Sequence, residues 1–190
     1  MCIRDRAYLI QKKLNELTEK NRIYDELETK YGKQIVRIGQ LLKQCEGAEP
    51  VEIQNLLKRI LLLGTYIKRG ANLYFLSLEY EFLPQQELRL TVDEAVGAMT
   101  VCGTECSVVY HTTKPMLSSE VVRLLDLLKL VAETTIPGLY SLFISVSDSE
   151  MNLSVECAAD LSFLASSNLT IRQEDGLWLI RTLIGGVNGA

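Results

Sequence analysis

Histidine is scarce in this chain of 190 residues, which has one, His111, together with five irregularly spaced cysteines. An odd number of cysteines, most of them in apolar runs, suits a reducing compartment better than a disulfide framework, so we expect no disulfides. Cys102 and Cys106 lie near His111, but this spacing without a fourth ligand is a weak metal signal. We therefore predict buried structural thiols and no metal site.

Long apolar runs are also missing. A membrane-spanning helix needs roughly 18 uninterrupted apolar residues, whereas charged residues flank the longest candidate, ILLLGTYI, on both sides. The hydrophobic content of 47% is nevertheless enough to build a core. We expect a soluble chain that folds.

Positive charge is scarce in the C-terminal half. Residues 1–83 carry 14 Lys and Arg against 11 Asp and Glu, a net charge of +3, and residues 84–190 carry 6 against 13, a net charge of −7. A half so acidic has little with which to hold a nucleic acid or a polyphosphate by charge. We predict no nucleic-acid partner.

The N-terminal part of the sequence predicts a long helix with a heptad seam. The first six residues, MCIRDR, do not join this pattern and resemble a translated sequencing adaptor, so we interpret residues 1–6 as non-native and expect the natural protein to extend upstream. From Ile10 onward, mostly apolar side chains recur at alternating steps of four and three, at Leu14, Leu17, Asn21, Tyr24, Glu28, Tyr31, Ile35, Ile38, Leu42 and Cys45. This spacing is typical of a helix that associates with copies of itself.

A short connection, CEGAEP, then leads to a second helix over about 51–82, with Pro50 in its first turn. So short a connection predicts antiparallel neighbours. We therefore expect residues 1–83 to form a coiled coil and a dimerising helical hairpin. Lys68 and Arg69 are interpreted as part of the solvated face of the second helix, although a phosphate-binding or docking role is also open.

Residues 84–190 have a different pattern. A helix that ends at Gly103 is followed by the strand CSVVYHT, by a helix capped by Ser118 or Ser119 and stopped at Pro137, and by four short alternating segments joined by turns. The order helix, strand, helix and four strands predicts an α+β fold with helices over a mixed sheet.

The stretch IYDELETKYGKQI resembles the phosphoacceptor helix of two-component sensor histidine kinases. In that family a His-Asp pair is followed by an acidic residue and an aliphatic residue. Tyr24 stands at the position of the histidine, and Asp25, Glu26 and Leu27 match the residues that follow it. The resemblance implies a dimerisation hairpin and a two-layer C-terminal domain similar to the histidine-kinase and gyrase ATP-binding fold. It also implies a response-regulator partner and a cytoplasmic location, in a parent protein that could be anchored in a membrane.

The chemical parts of the family are present mainly in altered form. The resemblance implies a nucleotide site that includes Glu133 and Asp160, but Pro137 takes the place of a magnesium-binding Asn, and Ser162 that of a Gly. Few residues separate Asp160 from the next strand, too few for a glycine-rich lid. The domain over 84–190 is therefore expected to be degenerate, with no bound cofactor.

Three readings of function remain open. The first is a catalytically impaired histidine-kinase-like protein that signals by dimerisation and partner contact. The second is an active enzyme, either an ATP- and magnesium-dependent kinase or a phosphatase of a response regulator in which Asp25 and Thr29 orient a water molecule. The third is a structural dimerisation domain without a ligand.

Overall fold

The computed structural model describes residues 3–136, 138–166 and 168–184, and side chains from residue 10 onward. It separates into two compact units, Met1–Gln40 and Leu41–Ala190. The first unit consists of helix α1, which spans Ile3–Gln44 and so runs a few residues into the second. None of the described helices combines the length and the apolar character that a membrane crossing requires.

Helix α2 spans Pro50–Glu79, with Pro50 in its first turn as the sequence predicted. Gly47 in the connection before it has a φ of 81°, a left-handed conformation that glycine adopts without strain. One side of α2 is buried in the second unit, where it packs against α3 and α4. The residues on this side are Leu56, Leu63, Tyr66, Arg69, Gly70 and Leu73.

After α2 the chain forms two short strands, two helices and a larger sheet. The elements are β1 (Phe82–Leu83), α3 (Gln85–Val101), β2 (Glu105–Tyr110), β3 (Met116–Leu117), α4 (Ser118–Thr135), β4 (Leu139–Val146), β5 (Glu150–Cys157), a 3-10 turn (Ser162–Leu164), β6 (Leu169–Glu174) and β7 (Leu177–Leu183). Each helix and strand that the sequence predicted beyond residue 84 is present.

The five longer strands form one mixed sheet in the order β2-β4-β5-β7-β6. Strand β2 runs parallel to β4, and every other neighbouring pair is antiparallel. The parallel pair is separated in sequence by α4, as a crossover between parallel strands requires. The predicted α+β class with a mixed sheet is confirmed.

One face of the sheet carries the core. Alternate side chains of β4, such as Leu142, Ile144 and Val146, are at most 1% exposed, and β5 and β7 repeat the pattern. The other face includes Phe143, Glu156 and Arg181, which are exposed. This alternation with a period of two explains why the strand predictions succeeded, since one face is covered by helices and the other faces solvent.

The sequence did not predict the ribbon that β1 and β3 form. Phe82 and Leu83 pair antiparallel with Leu117 and Met116. The predicted cap of α4 by Ser118 or Ser119 is wrong, because Leu117 is the N-cap and no side chain caps the helix. The backbone N–H of Ser118 instead donates to the carbonyl of Glu81 at 2.9 Å. The ribbon thus satisfies the first N–H of the helix, which has no partner inside the helix itself.

Helix α2 belongs to the same compact unit as the sheet, since that unit begins at Leu41. The sequence placed the boundary between its two domains after residue 83 instead. That boundary, the antiparallel packing of the hairpin and the coiled coil stay predictions.

Two glycines, one inside α3 and one just after its end, are expected to respond in opposite ways to replacement by alanine. Gly97 lies on the exposed side of the helix, and a Cβ added there would meet nothing within 4 Å. Gly103 has a φ of 96° and ends the helix in a Schellman motif, since its N–H donates to Thr100 and that of Thr104 to Met99.

We expect Gly97→Ala to raise the free energy of unfolding by about 0.5 to 1 kcal/mol, because alanine loses less backbone entropy in a helix. Gly103→Ala should lower it by about 1 kcal/mol, because the left-handed conformation strains a residue with a Cβ. Urea denaturation followed by circular dichroism measures both. A loss of stability in Gly97→Ala would contradict the exposed placement of that glycine.

Candidate functional site

The segment around Tyr24 is a continuous, exposed part of α1. Tyr24 is 67% exposed, and Asp25 is exposed beside it. Arg22, on the preceding turn, donates hydrogen bonds to Glu19 and to Glu26. The bonds to Glu19 and the charge of Glu26 raise the pKa of the Arg22 guanidinium, and Arg22 in turn lowers the pKa of Glu19. Glu19 and Glu26 thus form an exposed ion-pair cluster with Arg22 near Tyr24.

The structure brings Asp25 and Thr29 together on adjacent turns, as the helical spacing implies. A pair that orients a water molecule would need both side chains free to bond that water. The contact found here involves the backbone of Asp25 instead. The hydroxyl of Thr29 donates to the backbone carbonyl of Asp25 at 2.8 Å. Threonine often bonds the helix in this way, and the bond occupies the only proton that this hydroxyl can donate.

Glu133 lies on the side of α4 that faces α2. Its carboxylate is 3.1 Å from the ammonium of Lys129, which lies 4.9 Å from the ring centroid of Tyr66. The hydroxyl of Tyr66 donates to Asp126 at 2.7 Å. Glu133 is therefore part of a polar cluster that joins α2 to α4.

Asp160 lies in the connection between β5 and β6. Its carboxylate accepts a hydrogen bond from the backbone N–H of Ser162 at 2.8 Å. That bond, together with one from the Ser162 hydroxyl, lowers the pKa of Asp160. Asp160 thus lies just before the 3-10 turn Ser162–Leu164 and bonds to its first residue. This turn is the only regular element that the described residues of the connection contain.

A cavity of about 20 Å³ lies between α2, α3 and α4, and Glu133 is among its lining residues. Asp160 is not among them, so this cavity does not join the two residues that the resemblance places in one site. Its lining is almost entirely apolar, with Leu63, Met99 and Leu125 among the contributors. The volume suffices for about one water molecule, whereas ligand pockets measure roughly 300 to 1,000 Å³.

Helix α4 offers no carboxamide to a metal ion. Between Ser118 and Thr135 the sequence contains neither Asn nor Gln. The spacing of an acid and, four residues later, an Asn is not met from Asp126 either, since Leu130 stands there. Pro137, predicted to replace the magnesium-binding Asn, lies outside the described residues. Within the described part of the chain, no three His, Cys, Asp or Glu side chains come together as metal ligands.

Sequence reasoning missed the most buried charge of the C-terminal unit. The interpretation of Arg69 as a solvated residue is wrong, because its side chain is only 3% exposed. It donates to the Thr91 hydroxyl at 3.0 Å and to both the carboxylate and the backbone carbonyl of Glu87. The neighbouring Lys68 is exposed as expected and pairs with Glu94 at 3.1 Å. The proximity of Arg69 to Gly70 and Leu73 on the apolar side of α2 was the available signal.

A second missed contact holds two loops of the sheet together. Asp148, between β4 and β5, accepts hydrogen bonds from the Thr112 hydroxyl at 2.6 Å and from the Thr113 N–H at 3.1 Å. These bonds, led by that of Thr112, lower the pKa of Asp148. Nearby, His111 is exposed just after β2, and its backbone N–H donates to Val146. This histidine extends the strand pairing through its backbone.

No protein-family model and no curated protein matches the chain. Among solved structures, the chain is similar to a bacterial phosphotransferase, with 9% sequence identity and a TM-score of 0.45 over 87% of this chain and 95% of that one. It is also similar to the histidine kinase ThkA in complex with the response regulator protein TrrA, with 13% identity and a TM-score of 0.36 over 94% of this chain and 65% of that one. For the histidine kinase AdeS of Acinetobacter baumannii, the identity is 14% and the TM-score 0.33, over 80% of this chain and 95% of that one. Similarity at this level assigns neither a family nor an activity.

Proposed function

We propose that this chain is a dimeric signalling module that resembles the cytoplasmic part of a sensor histidine kinase and acts by contact with a partner, without phosphotransfer. The partner is a response regulator, and the module needs no nucleotide. In this proposal Tyr24 and Asp25 belong to a contact surface on α1. Glu133 and Asp160 have structural roles.

The absence of a carboxamide from α4 carries the proposal. In the family that the sequence resembles, this helix supplies the Asn that binds the magnesium ion bridging the phosphates. Because no Asn or Gln occurs anywhere between residues 118 and 135, no alignment of this helix restores that ligand. The ion pair of Glu133 with Lys129 gives that carboxylate a structural partner as well.

Tyr24 supports the same proposal from the helical part of the chain. A neutral histidine has a free lone pair at pH 7, whereas a tyrosine, whose ordinary pKa is about 10, needs a base that removes its proton before it can attack a phosphate. Tyr24 has no hydrogen bond to such a base among the contacts of the described residues.

An active enzyme is the second candidate. The observation that favours it is the exposure of Asp25, which lies beside Tyr24 on α1. If the chain removed the phosphoryl group of a response regulator, the reaction should depend on Asp25, and Asp25→Asn would abolish it.

Magnesium ATP is expected neither to bind the protein nor to phosphorylate it. We expect no rise of the melting temperature up to millimolar Mg-ATP, because a ligand stabilises a protein only where it binds the folded state. Incubation with ATP labelled at the γ-phosphate should leave the wild type, Tyr24→Phe and Tyr24→His equally unlabelled.

These three proteins also separate the alternatives. Label on the wild type but not on Tyr24→Phe would overturn the proposal in favour of an active kinase that uses Tyr24. Label on Tyr24→His alone would show that the C-terminal unit still transfers phosphate, which would equally overturn it.

The exposed seam of α1 supports the proposed dimer. Ile10, Leu14 and Leu17 are 66%, 55% and 57% exposed in the single chain, and they continue at heptad spacing to Tyr24. Large apolar side chains that recur in this way are typically covered by another helix. A second copy of this chain would present the same seam, so one surface can cover itself about a two-fold axis.

Leu17→Asp should weaken the dimer at least about tenfold, because a leucine that packs at an interface contributes roughly 1.5 to 3 kcal/mol. Asn15→Asp is the matched control. It introduces the same charge two residues away, off the seam, and should leave the dimer unchanged. Equilibrium sedimentation at micromolar concentration measures both, and a wild-type monomer would refute the dimer.

A further inference from the structure

Strand β2 is an edge of the five-stranded sheet, since it pairs with β4 alone. The backbone N–H of His111, just after the strand, donates to Val146 of β4 at 2.8 Å. Backbone groups of successive residues in a strand point to opposite sides, so the odd-numbered residues of β2 face β4 and the even-numbered ones face outward. Within the described part of the chain, no hydrogen bond reaches the backbone on that outward side. We name these outward N–H and C=O groups the β2 edge, defined by Cys106, Val108 and Tyr110.

The β2 edge is accessible from the side. Leu142 and Ile144 of β4, which point into the core, are at most 1% exposed. Cys106 and Val108 lie directly opposite them on the same face of the sheet but are only half-buried. The helices therefore cover β4 fully and β2 only in part, and a further strand could lie alongside β2.

The two edges of the sheet differ in how they are protected. The other edge strand, β6, carries the exposed residues Arg172, Gln173 and Glu174 in succession, with Arg172 and Glu174 3.1 Å apart. Residues 106–110 of β2 are CSVVY, without a charge, a proline or a glycine. Natural sheets prevent pairing at an edge with charged residues, prolines or bulges, and valine and tyrosine favour strands. The β2 edge therefore lacks these protections and has residues suited to pairing.

We infer that β2 pairs antiparallel with β2 of a second copy of this chain, about a two-fold axis at Val108. Three outward-facing pairs then exchange two hydrogen bonds each, with Val108 opposite its own copy and Cys106 opposite Tyr110. The same register places Glu105, at the start of the strand, opposite His111 of the second copy. Both of these residues are exposed, and an imidazole donates an N–H to a carboxylate whether it is neutral or charged.

The ends of β2 indicate a second copy as the occupant of this edge. Another extended segment would need a donor opposite Glu105 and, about six residues along, an acceptor opposite His111. The antiparallel copy supplies both, because its own ends are reversed, and a two-fold axis lets one surface complete itself. This pairing goes beyond the proposed function. It uses a different element from the α1 seam, and the two interfaces can be tested separately.

Amide hydrogen exchange of the full chain, resolved to single residues, tests the pairing directly. The outward amides of Cys106, Val108 and Tyr110 should become at least about tenfold slower to exchange as the protein concentration rises from low to high micromolar. The amides of Ser107 and Val109 bond within the sheet and should be protected at every concentration. Outward amides that exchange fast throughout this range would overturn the inference.

Two substitutions of Val108 test the backbone bonds, in protein that also carries Leu17→Asp to weaken the α1 seam. Val108→Pro removes an N–H from the centre of the pairing in both copies and should raise the dissociation constant at least about tenfold. The sheet itself tolerates this proline, because that N–H does not bond to β4. Val108→Thr keeps the N–H and the branched shape and should change the constant by less than about threefold. Equilibrium sedimentation measures both, and equal constants for the two variants would contradict the pairing.

A charge exchange tests the register and remains decisive if Val108→Pro does not fold. Glu105→Lys places a cation opposite His111 and should weaken the pairing at least about threefold. Adding His111→Glu restores opposite charges and should return the dissociation constant to within about twofold of its original value. A double variant as weak as Glu105→Lys alone would refute the register.

The same measurements separate this inference from the proposed function. A Leu17→Asp protein that is a strict monomer up to high micromolar concentration would overturn the β2 pairing. Dissociation by Val108→Pro, together with no effect of Leu17→Asp, would refute the α1 dimer and support the β2 pairing.

Discussion

A buried guanidinium, that of Arg69, ties helix α2 to helix α3 in the C-terminal unit. Arg69 needs all three of its acceptors, since each lost bond leaves a desolvated donor that costs about 1 to 3 kcal/mol. The acceptors lie within one turn of α3, at Glu87 and Thr91. The position of α3 against α2 is therefore specified by polar geometry as well as by apolar packing. The packing of α4 follows, since it contacts both of these helices.

Polar residues that could support chemistry are used for structure in this chain. Glu133 pairs with Lys129, Asp126 accepts from Tyr66, and Asp160 accepts from the first N–H of the 3-10 turn. The hydroxyl of Tyr110 donates to Asp93 at 2.7 Å, and burial, together with that carboxylate, raises the pKa of Tyr110. Each group stabilises a helix, a turn or a helix–sheet contact.

Helices and strands could be predicted where one face of the element is buried. The strands β4 and β5 could be predicted because burial of one face places apolar residues at every second position. The end of α3 could be predicted because its left-handed conformation favours a glycine, Gly103. The ribbon of β1 and β3 could not be predicted, because two residues in each strand are too few to show a period. The start of α4 was misread for a related reason. The N–H of Ser118, the first residue of α4, bonds to the carbonyl of Glu81, which is far away in sequence.

Some features of the candidate site could likewise be predicted from the sequence, and others depended on the packed structure. Residue identity alone determined that α4 has no carboxamide, and no folding can alter that fact. The assignment of Tyr24 to the position of a histidine stays a prediction from the resemblance. Spacing on one helix also determined that Asp25 and Thr29 are neighbours. Which side of α2 would be buried was open, because α2 is apolar on two sides and both have heptad spacing. Only the tertiary structure decided that the side chain of Arg69 is buried. A long cationic side chain is stable on the surface, and it is stable in the interior where acceptors surround it. The acceptors here, Glu87 and Thr91, lie opposite Arg69 only because the helices pack as they do.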